Sequence, residues 1–401
     1  MQAQLVDADI SAMKGRRSFL KRGASAIGLA WMGYEGIERI GSGAHRTPGD
    51  SGLVLRGQVP EQLDNFSRIA QYGQRQGSMI RCTLCPHECV LAEGDRGFCR
   101  ARGVRQGQLR TLAYGNLCAI AVDPIEKKPL YHFLPQSEIL SVAMGGCNLR
   151  CPNCQNWQIS QSFPEQVTMH GMQPQQLVDM AVAGRYPSIA FTYTEPMVTF
   201  EYVRDTSKLA RDRGVKTVLV TAGYVQREPL LELAKYVDAM QLDVKSFDDA
   251  SYASVVRGRL HPVLRTIEVM RHAGVWVELS YLMVTGLTDD VDQVRRLSRW
   301  MVRQVGKDVP LHLLRFHPAH RLTHLIPTPI PKLGDAAEAA KREGLAYVYL
   351  GNVPGLSAGR TVCPNDGQVL VERQGYHVLA NRLRDGACPR CGERIAGVYA
   401  A

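Results

Sequence analysis

The stretch G-G-C-N-L-R-C-P-N-C-Q-N-W, residues Gly145–Trp157, decides how this chain is read. It places thiols at Cys147, Cys151 and Cys154 with the spacing C-x3-C-x2-C, directly after the strand-like run Ile139–Met144. Three thiols hold a four-iron cube by three corners and leave one iron with an open coordination position, which lets a cluster bind a substrate rather than only carry electrons. The same trio also suits a zinc ion with water as fourth ligand, or a set in which one thiol is structural.

Outward from this loop, short runs rich in Val, Ile, Leu and aromatics alternate with helical patterns, the signature of βαβ units and a parallel sheet. The runs predict strands at Ile139–Met144, Ser188–Tyr193, Lys216–Thr221, Ala239–Val244, Trp276–Met283, Leu311–Phe316 and Ala346–Leu350. The intervening patterns predict helices at Pro174–Ala183, Tyr202–Arg213, Glu228–Tyr236, Pro262–His272, Val291–Val305 and Asp335–Glu343. Gly214, Gly274 and Gly344 each follow a helix where a left-handed cap is wanted. Six or seven such units make an α/β fold with a full or partial parallel (β/α) barrel over residues 135–352. In such folds reactive groups collect at the C-terminal ends of the strands. Cys147, Glu195, Asp243, Lys245 and His317 all fall at those ends.

Eleven cysteines in tight groups within a long chain point to metal rather than to a disulfide framework. Cys82, Cys85, Cys89 and Cys99 lie in a Cys-rich region, 79–134, close enough to converge on zinc or on a second iron–sulfur cluster, with His87 as a spare ligand. At the far end, 353–401, Cys363-Pro-Asn-Asp366 and Cys388-Pro-Arg-Cys391 form two knuckles of a zinc-ribbon-like hairpin. That site holds zinc as Cys3Asp, or persists as a hairpin kept by packing. Cys118 reads as an ordinary buried apolar residue.

Residues 1–44 read as an address: K-G-R-R-S-F-L-K-R around Arg16 and Arg17, a short apolar run Gly23–Gly33, then Ser42-Gly43-Ala44. This resembles a twin-arginine export signal, which implies the twin-arginine translocase as a partner and the periplasm as destination, with a cytoplasmic protein as the alternative. The run is too short to span a bilayer, so no transmembrane anchor is expected. An ordinary basic amphipathic first helix is the bland reading. Residues 45–78 read as linker, with a short helix near Gln62–Tyr72. The hydrophobic fraction of 45% and charged fraction of 21% suit a globular protein and exclude a disordered chain. Net charge is +10, or +8 without residues 1–44, yet no basic block interleaved with aromatics marks a nucleic-acid surface.

The cysteine loop and its place after a first strand resemble the radical S-adenosylmethionine (radical SAM) superfamily. P-I-E-K-K-P-L-Y-H-F (Pro124–Phe133), C-Q-N-W-Q-I-S (Cys154–Ser160), F-T-Y-T-E-P (Phe191–Pro196), L-D-V-K (Leu242–Lys245) and R-F-H-P (Arg315–Pro318) resemble the AmmeMemoRadiSam-system enzymes, relatives of the pyruvate formate-lyase activating enzymes. The resemblance implies a [4Fe–4S] cluster on Cys147, Cys151 and Cys154, a low-potential electron donor, and reductive cleavage of S-adenosylmethionine to a 5′-deoxyadenosyl radical. It also implies that Thr194 and Glu195 contact the amino end of S-adenosylmethionine, that Asp243 and Lys245 lie beside its methionyl moiety, and that His317 stands near it. The bland readings are a helix-start acid at Glu195, a rim ion pair at Asp243 and Lys245, and a turn residue at His317. Relatives commonly have cysteine where this chain has Asp366. Glu278 and Tyr281 are weaker candidates for lining a substrate space. The expected function is radical chemistry on an unidentified small molecule or protein residue. The alternatives are a glycyl-radical-enzyme activase, made less apt because the extra cysteines precede the radical motif, and a multi-cluster electron carrier, which would want a fourth thiol near Cys147.

Overall fold

The computed structural model describes residues 54–55, 59–353 and 359–400, so the twin-arginine-like segment 1–44 lies outside the described residues. Its centre is a nine-stranded sheet. Ahead of that sheet come six short strands: β1 (Arg68–Ile69), β2 (Gly73–Gln76), β3 (Met79–Cys82), β4 (Val90–Leu91), β5 (Arg102–Arg105) and β6 (Gln108–Thr111). They form two three-stranded antiparallel sheets, ordered β2-β3-β4 and β1-β6-β5. The central sheet is built from β7 (Asn116–Pro124), β8 (Glu138–Met144), β9 (His170–Gly171), β10 (Ser188–Phe191), β11 (Lys216–Thr221), β12 (Ala239–Val244), β13 (Trp276–Met283), β14 (Leu311–Arg315) and β15 (Val348–Gly351). Its order is β15-β14-β13-β12-β11-β10-β8-β7-β9.

From β8 to β15 every neighbouring pair is parallel and the order follows the chain without reversal. A doubly wound sheet reverses its order once; a sheet that never reverses, with right-handed crossovers, collects its helices on one face and curls into a barrel. The ends stay unpaired with each other, so the barrel is partial, and β7 joins β8 antiparallel at one side. β10 (Ser-Ile-Ala-Phe) is buried at all four positions, as a parallel strand covered on both faces must be.

The longer helices are α1 (Pro174–Ala183), α2 (Phe200–Asp212), α3 (Arg227–Leu233), α4 (Leu260–His272), α5 (Val291–Gln304) and α6 (Ile330–Arg342). In α5, Val294, Leu297, Ser298 and Met301 repeat at helical spacing and are buried, while Asp290 caps the start by accepting from the Asp292 N–H at 2.9 Å. Gly214, Gly274 and Gly344 do take left-handed φ values, at +71°, +82° and +103°.

Several expected element bounds shift, the helix expected to reach Tyr236 ending at Leu233 and the strand expected from Ala346 starting at Val348, and three changes have a clear local cause. The helix near Gln62–Tyr72 is only a 3-10 turn at Glu61–Phe66, because Ser67 is extended and the chain then pairs Arg68 with Thr111. α6 begins at Ile330 rather than Asp335; Pro331 sits in its first turn, where a missing N–H costs nothing. The strand expected to run to Tyr193 stops at Phe191, and Tyr193 turns away with φ of +66°.

Attachments flank the barrel. The Arg102 guanidinium, 1% exposed, donates to both oxygens of Glu201 on α2 at 3.0 and 2.9 Å, tying the Cys-rich region to the barrel. At the other end β16 (Thr361–Val362), β17 (Val369–Gln374) and β18 (His377–Asn381) form an antiparallel sheet. The C-terminal segment meets the barrel where Leu134 N–H donates to Val398 and Val398 N–H donates to His132, both at 2.7 Å.

Candidate active site

The loop after β8 is fixed before any ligand enters. Gly146 has φ of +108°, and a Cβ there would lie 2.6 Å from the Cys99 carbonyl oxygen, so only glycine fits. Asn148, buried, donates its amide to the Tyr224 carbonyl at 2.7 Å, and Arg150 donates to the Cys147 carbonyl at 2.8 Å. Cys154 Sγ lies 3.2 Å from the Ser160 hydroxyl, and Leu149 N–H points to Cys147 Sγ at 3.4 Å.

Cys147, Cys151 and Cys154 open onto a cavity of about 810 Å³ at the C-terminal ends of the strands. Thr194, Glu195, Asp243, Lys245 and His317 line the same cavity, so strands β8, β10, β12 and β14 deliver all eight residues to one space. That volume is within the range of small-molecule sites. Burial pushes the Cys151 thiol up to about 11 even with the Lys245 ammonium nearby, and burial likewise raises Cys147, where the Glu195 charge adds to it. A bare thiolate is therefore unfavourable here, and a positively charged iron centre is what would hold these sulfurs deprotonated. The three Sγ atoms are not all within 4.8 Å of one another. Around one zinc ion, with Zn–S about 2.3 Å, they would stand about 3.8 Å apart. On separate irons of a cube they stand further apart, so the donor set fits a cluster.

Around the thiols the other side chains are differently engaged. Thr194 donates its hydroxyl to the Met144 carbonyl at 2.7 Å. Glu195 is buried and accepts from the Thr221 hydroxyl at 2.6 Å, Ala222 N–H at 2.8 Å and Met197 N–H at 3.1 Å; burial raises its pKa against those donors. It thus caps the turn Pro196–Thr199, as the bland reading has it, while facing the cavity. Asp243 accepts from Lys245 Nζ at 2.8 Å, from Gln241 Nε2 at 3.1 Å and from the Ser280 hydroxyl. Burial opposes the Asp243 charge, but the Lys245 ammonium outweighs it and holds the carboxyl below its usual range. His317 Nε2 is 3.1 Å from the Asn352 carbonyl oxygen.

Glu278 and Tyr281 do not line the cavity. Glu278 is fully buried and accepts from the N–H groups of Tyr131 (3.0 Å) and His132 (2.8 Å), from Trp276 Nε1 (3.0 Å), and lies 2.8 Å from His312 Nε2. Tyr281 donates to Gln293 at 3.1 Å on the helix side. Sequence reasoning missed the wall formed by Lys127, Lys128 and Tyr193, with Asp123 holding the two ammoniums at 2.7 and 2.6 Å. It also missed Arg373 and Tyr376 from the C-terminal sheet. The E-K-K run was the available signal for the first group; nothing in the sequence joins Arg373 to the barrel.

The outer cysteines part ways. Cys363, Asp366, Cys388 and Cys391 present donor atoms all within 4.8 Å of one another, with Cys363 Sγ 3.6 Å from Cys391 Sγ and Cys388 Sγ 3.6 Å from an Asp366 oxygen. Cys82, Cys85, Cys89 and Cys99 line a separate small cavity. His87 is not among its lining residues: Nε2 is 2.8 Å from the Asn148 carbonyl oxygen and the ring packs against Phe98 and Tyr224. Cys118 is half-buried on β7, its thiol 3.5 Å from the Ala143 carbonyl oxygen.

Fold and site together define a radical SAM protein, and comparison with known proteins agrees: the radical SAM superfamily model matches residues 141–301. The chain belongs to that superfamily. It is 42% identical over 326 residues to an uncharacterized protein of Methanocaldococcus jannaschii, covering 81% of this chain and 97% of that one. It is 30% identical over 125 residues to the pyruvate formate-lyase 1-activating enzyme of Escherichia coli, covering 31% of this chain and half of that enzyme. A solved radical SAM methyltransferase from Sphaerobacter thermophilus superposes with a TM-score of 0.44 at 15% identity, over 56% of this chain and 70% of that one. The chain is a radical SAM enzyme similar to the pyruvate formate-lyase activating enzymes. With a [4Fe–4S] cluster and S-adenosylmethionine bound, the chemistry supplied is one-electron cleavage of the sulfonium bond to give a 5′-deoxyadenosyl radical.

Proposed function

We propose that this enzyme works in the AmmeMemoRadiSam system, directing the radical at a carbon–hydrogen bond of a small molecule or of a residue on a partner protein. The observation that carries the reading is the single cavity shared by Cys147, Cys151, Cys154, Thr194, Glu195, Asp243, Lys245 and His317. In this reading the three thiols hold the cluster. Lys245 receives the cofactor carboxylate, with Asp243 keeping the ammonium charged and aimed. Thr194 and Glu195 stand by the amino group, and His317 borders the far side. Lys127, Lys128 and Tyr193 wall the space left for substrate.

The test is anaerobic reconstitution followed by dithionite reduction. Wild-type protein should convert S-adenosylmethionine to 5′-deoxyadenosine, and Cys147→Ala, Cys151→Ala or Cys154→Ala should abolish it. Cleavage retained in all three variants would sink the assignment.

A second reading, activation of a glycyl-radical enzyme, is supported by the relatives named as activating enzymes for pyruvate formate-lyase and benzylsuccinate synthase. It requires a glycyl radical signal on a partner protein. We also propose that Cys363, Asp366, Cys388 and Cys391 hold zinc, and that residues 1–44 direct export through the twin-arginine route, which carries folded proteins with their cofactors in place. Among the described residues no helix is long and apolar enough to cross a membrane.

A further inference from the structure

We propose that Cys82, Cys85, Cys89 and Cys99 hold a second [4Fe–4S] cluster, with all four irons capped, rather than a zinc ion. Two other thiol groups in the same chain serve as internal references. At the C-terminal knuckles four donors fall within 4.8 Å of one another, as a single tetrahedral ion demands. At Cys147, Cys151 and Cys154, the cluster loop of the superfamily, they do not. Among the described residues, no three of the four N-terminal thiols form a donor set within 4.8 Å of one another, although all four line one cavity. Thiolates on different corners of a cube are spread in this way.

The walls of that cavity suit a cluster. Leu84, Leu91, Phe98 and Val198 give it an apolar lining. The Phe98 N–H points to Cys89 Sγ at 3.4 Å, the kind of backbone donor that tunes cluster sulfurs. Gly97 keeps the loop close: a Cβ there would lie 3.6 Å from Cys89 Sγ and 3.8 Å from Cys99 Sγ. Arg102 also lines the cavity, almost fully buried, and its Nε has no hydrogen-bond partner among the described residues. Its other nitrogens are committed to Glu201 and the Gln71 carbonyl, which leaves an unsatisfied donor on a guanidinium that borders the space where four thiolates would bring net negative charge. A cube with four thiolates satisfies both the charge and the donor.

The test uses the full chain, expressed and purified without oxygen, in the form Cys147→Ala/Cys151→Ala/Cys154→Ala. That variant lacks the radical site, so the inference is judged separately from the radical reading. We expect about four irons and four sulfides per chain, and after dithionite an electron paramagnetic resonance signal that S-adenosylmethionine leaves unchanged. About two zincs per chain, one more than the C-terminal knuckles take, or a chain with no iron, or about two irons, would overturn the proposal. A second variant, Cys82→Ser/Cys85→Ser, guards against misfolding of the first: it should keep the signal that S-adenosylmethionine shifts and lose the one it does not. Retention of both signals would equally overturn it.

Discussion

Removing the Asp243 carboxylate tests how the cavity grips the cofactor. In Asp243→Ala three donors lose their acceptor at once: the Lys245 ammonium, the Gln241 amide and the Ser280 hydroxyl. The pair is neither a surface salt bridge, worth about 0–1 kcal/mol, nor a sealed one, whose breaking costs about 3–5 kcal/mol. Its side chains are 36% and 25% exposed, and that exposure is to the cavity, so a ligand can complete what the pair leaves open. The quantity at stake is one charge-assisted hydrogen bond between Lys245 and the cofactor carboxylate, about 1.5–3 kcal/mol. Asp243→Ala and Lys245→Ala should each therefore weaken S-adenosylmethionine binding about ten- to a hundred-fold. Calorimetric titration of anaerobically reconstituted protein measures this, with iron per chain as the control, because neither residue ligates the cluster in this reading. Unaltered affinity in both variants, at unaltered iron content, would refute the reasoning and leave a rim ion pair.

Other outcomes follow from the same structure. His132 is fully buried, with Nε2 2.6 Å from the Tyr349 hydroxyl and Nδ1 2.7 Å from the Ala396 carbonyl; burial draws its pKa from 6.5 down to about 4, against the nearby Glu278 charge. Between those values the unfolded chain binds the proton and the folded chain does not, so stability should fall as pH drops from about 6.5 to about 4, by about 3 kcal/mol for this group. Denaturant melts across that range should show the slope, and His132→Gln should flatten it. At the C-terminal knuckles we expect about one zinc per chain by mass spectrometry, absent from Cys363→Ser/Cys388→Ser; equal zinc in that variant would remove the site. For the segment 1–44, a reporter fusion should be exported, and a twin-lysine version with Arg16→Lys and Arg17→Lys should stay in the cytoplasm. Unprocessed cytoplasmic protein in both strains would show that it is not a functioning signal.

Much of this architecture is written locally, and those parts were readable. The seven parallel strands carry near-continuous apolar runs because both their faces are covered, and glycine follows three of their helices because the chain there must turn left-handed. Placing chemical residues at strand ends then assembles the cavity with no knowledge of packing. What escaped was long-range. β7 pairs antiparallel with β8, and its Asn116–Pro124 run is not among the strands the sequence predicts. Glu278 looked like a cavity residue by its place on β13, but its side chain points to the turn at Tyr131 and His132, 147 and 146 residues earlier in the chain. Arg373 reaches the same turn, donating to the Tyr131 carbonyl at 2.8 Å, which is how a residue of the C-terminal sheet comes to line the active cavity.

The cysteines show why spacing alone could not assign the outer metals. C-x2-C occurs at Cys82/Cys85 and again at Cys388/Cys391, so the two motifs look equivalent on paper. In the C-terminal pair of knuckles, each first cysteine is turned back on itself: Gly367 N–H donates to the Cys363 carbonyl at 3.0 Å and Gly392 N–H to the Cys388 carbonyl at 2.9 Å. Two such turns facing each other draw their donors to the separation of one ion. The N-terminal set has no such pair. Cys82 ends strand β3 and donates its N–H to the Cys89 carbonyl across the hairpin, while Cys99 comes from a further turn whose carbonyl abuts Gly146. Backbone pairing, not thiol spacing, holds these four sulfurs around a cavity instead of at a point. Because that backbone is also the wall behind the Cys147 loop, a larger side chain at Gly146 should disturb both thiol groups together.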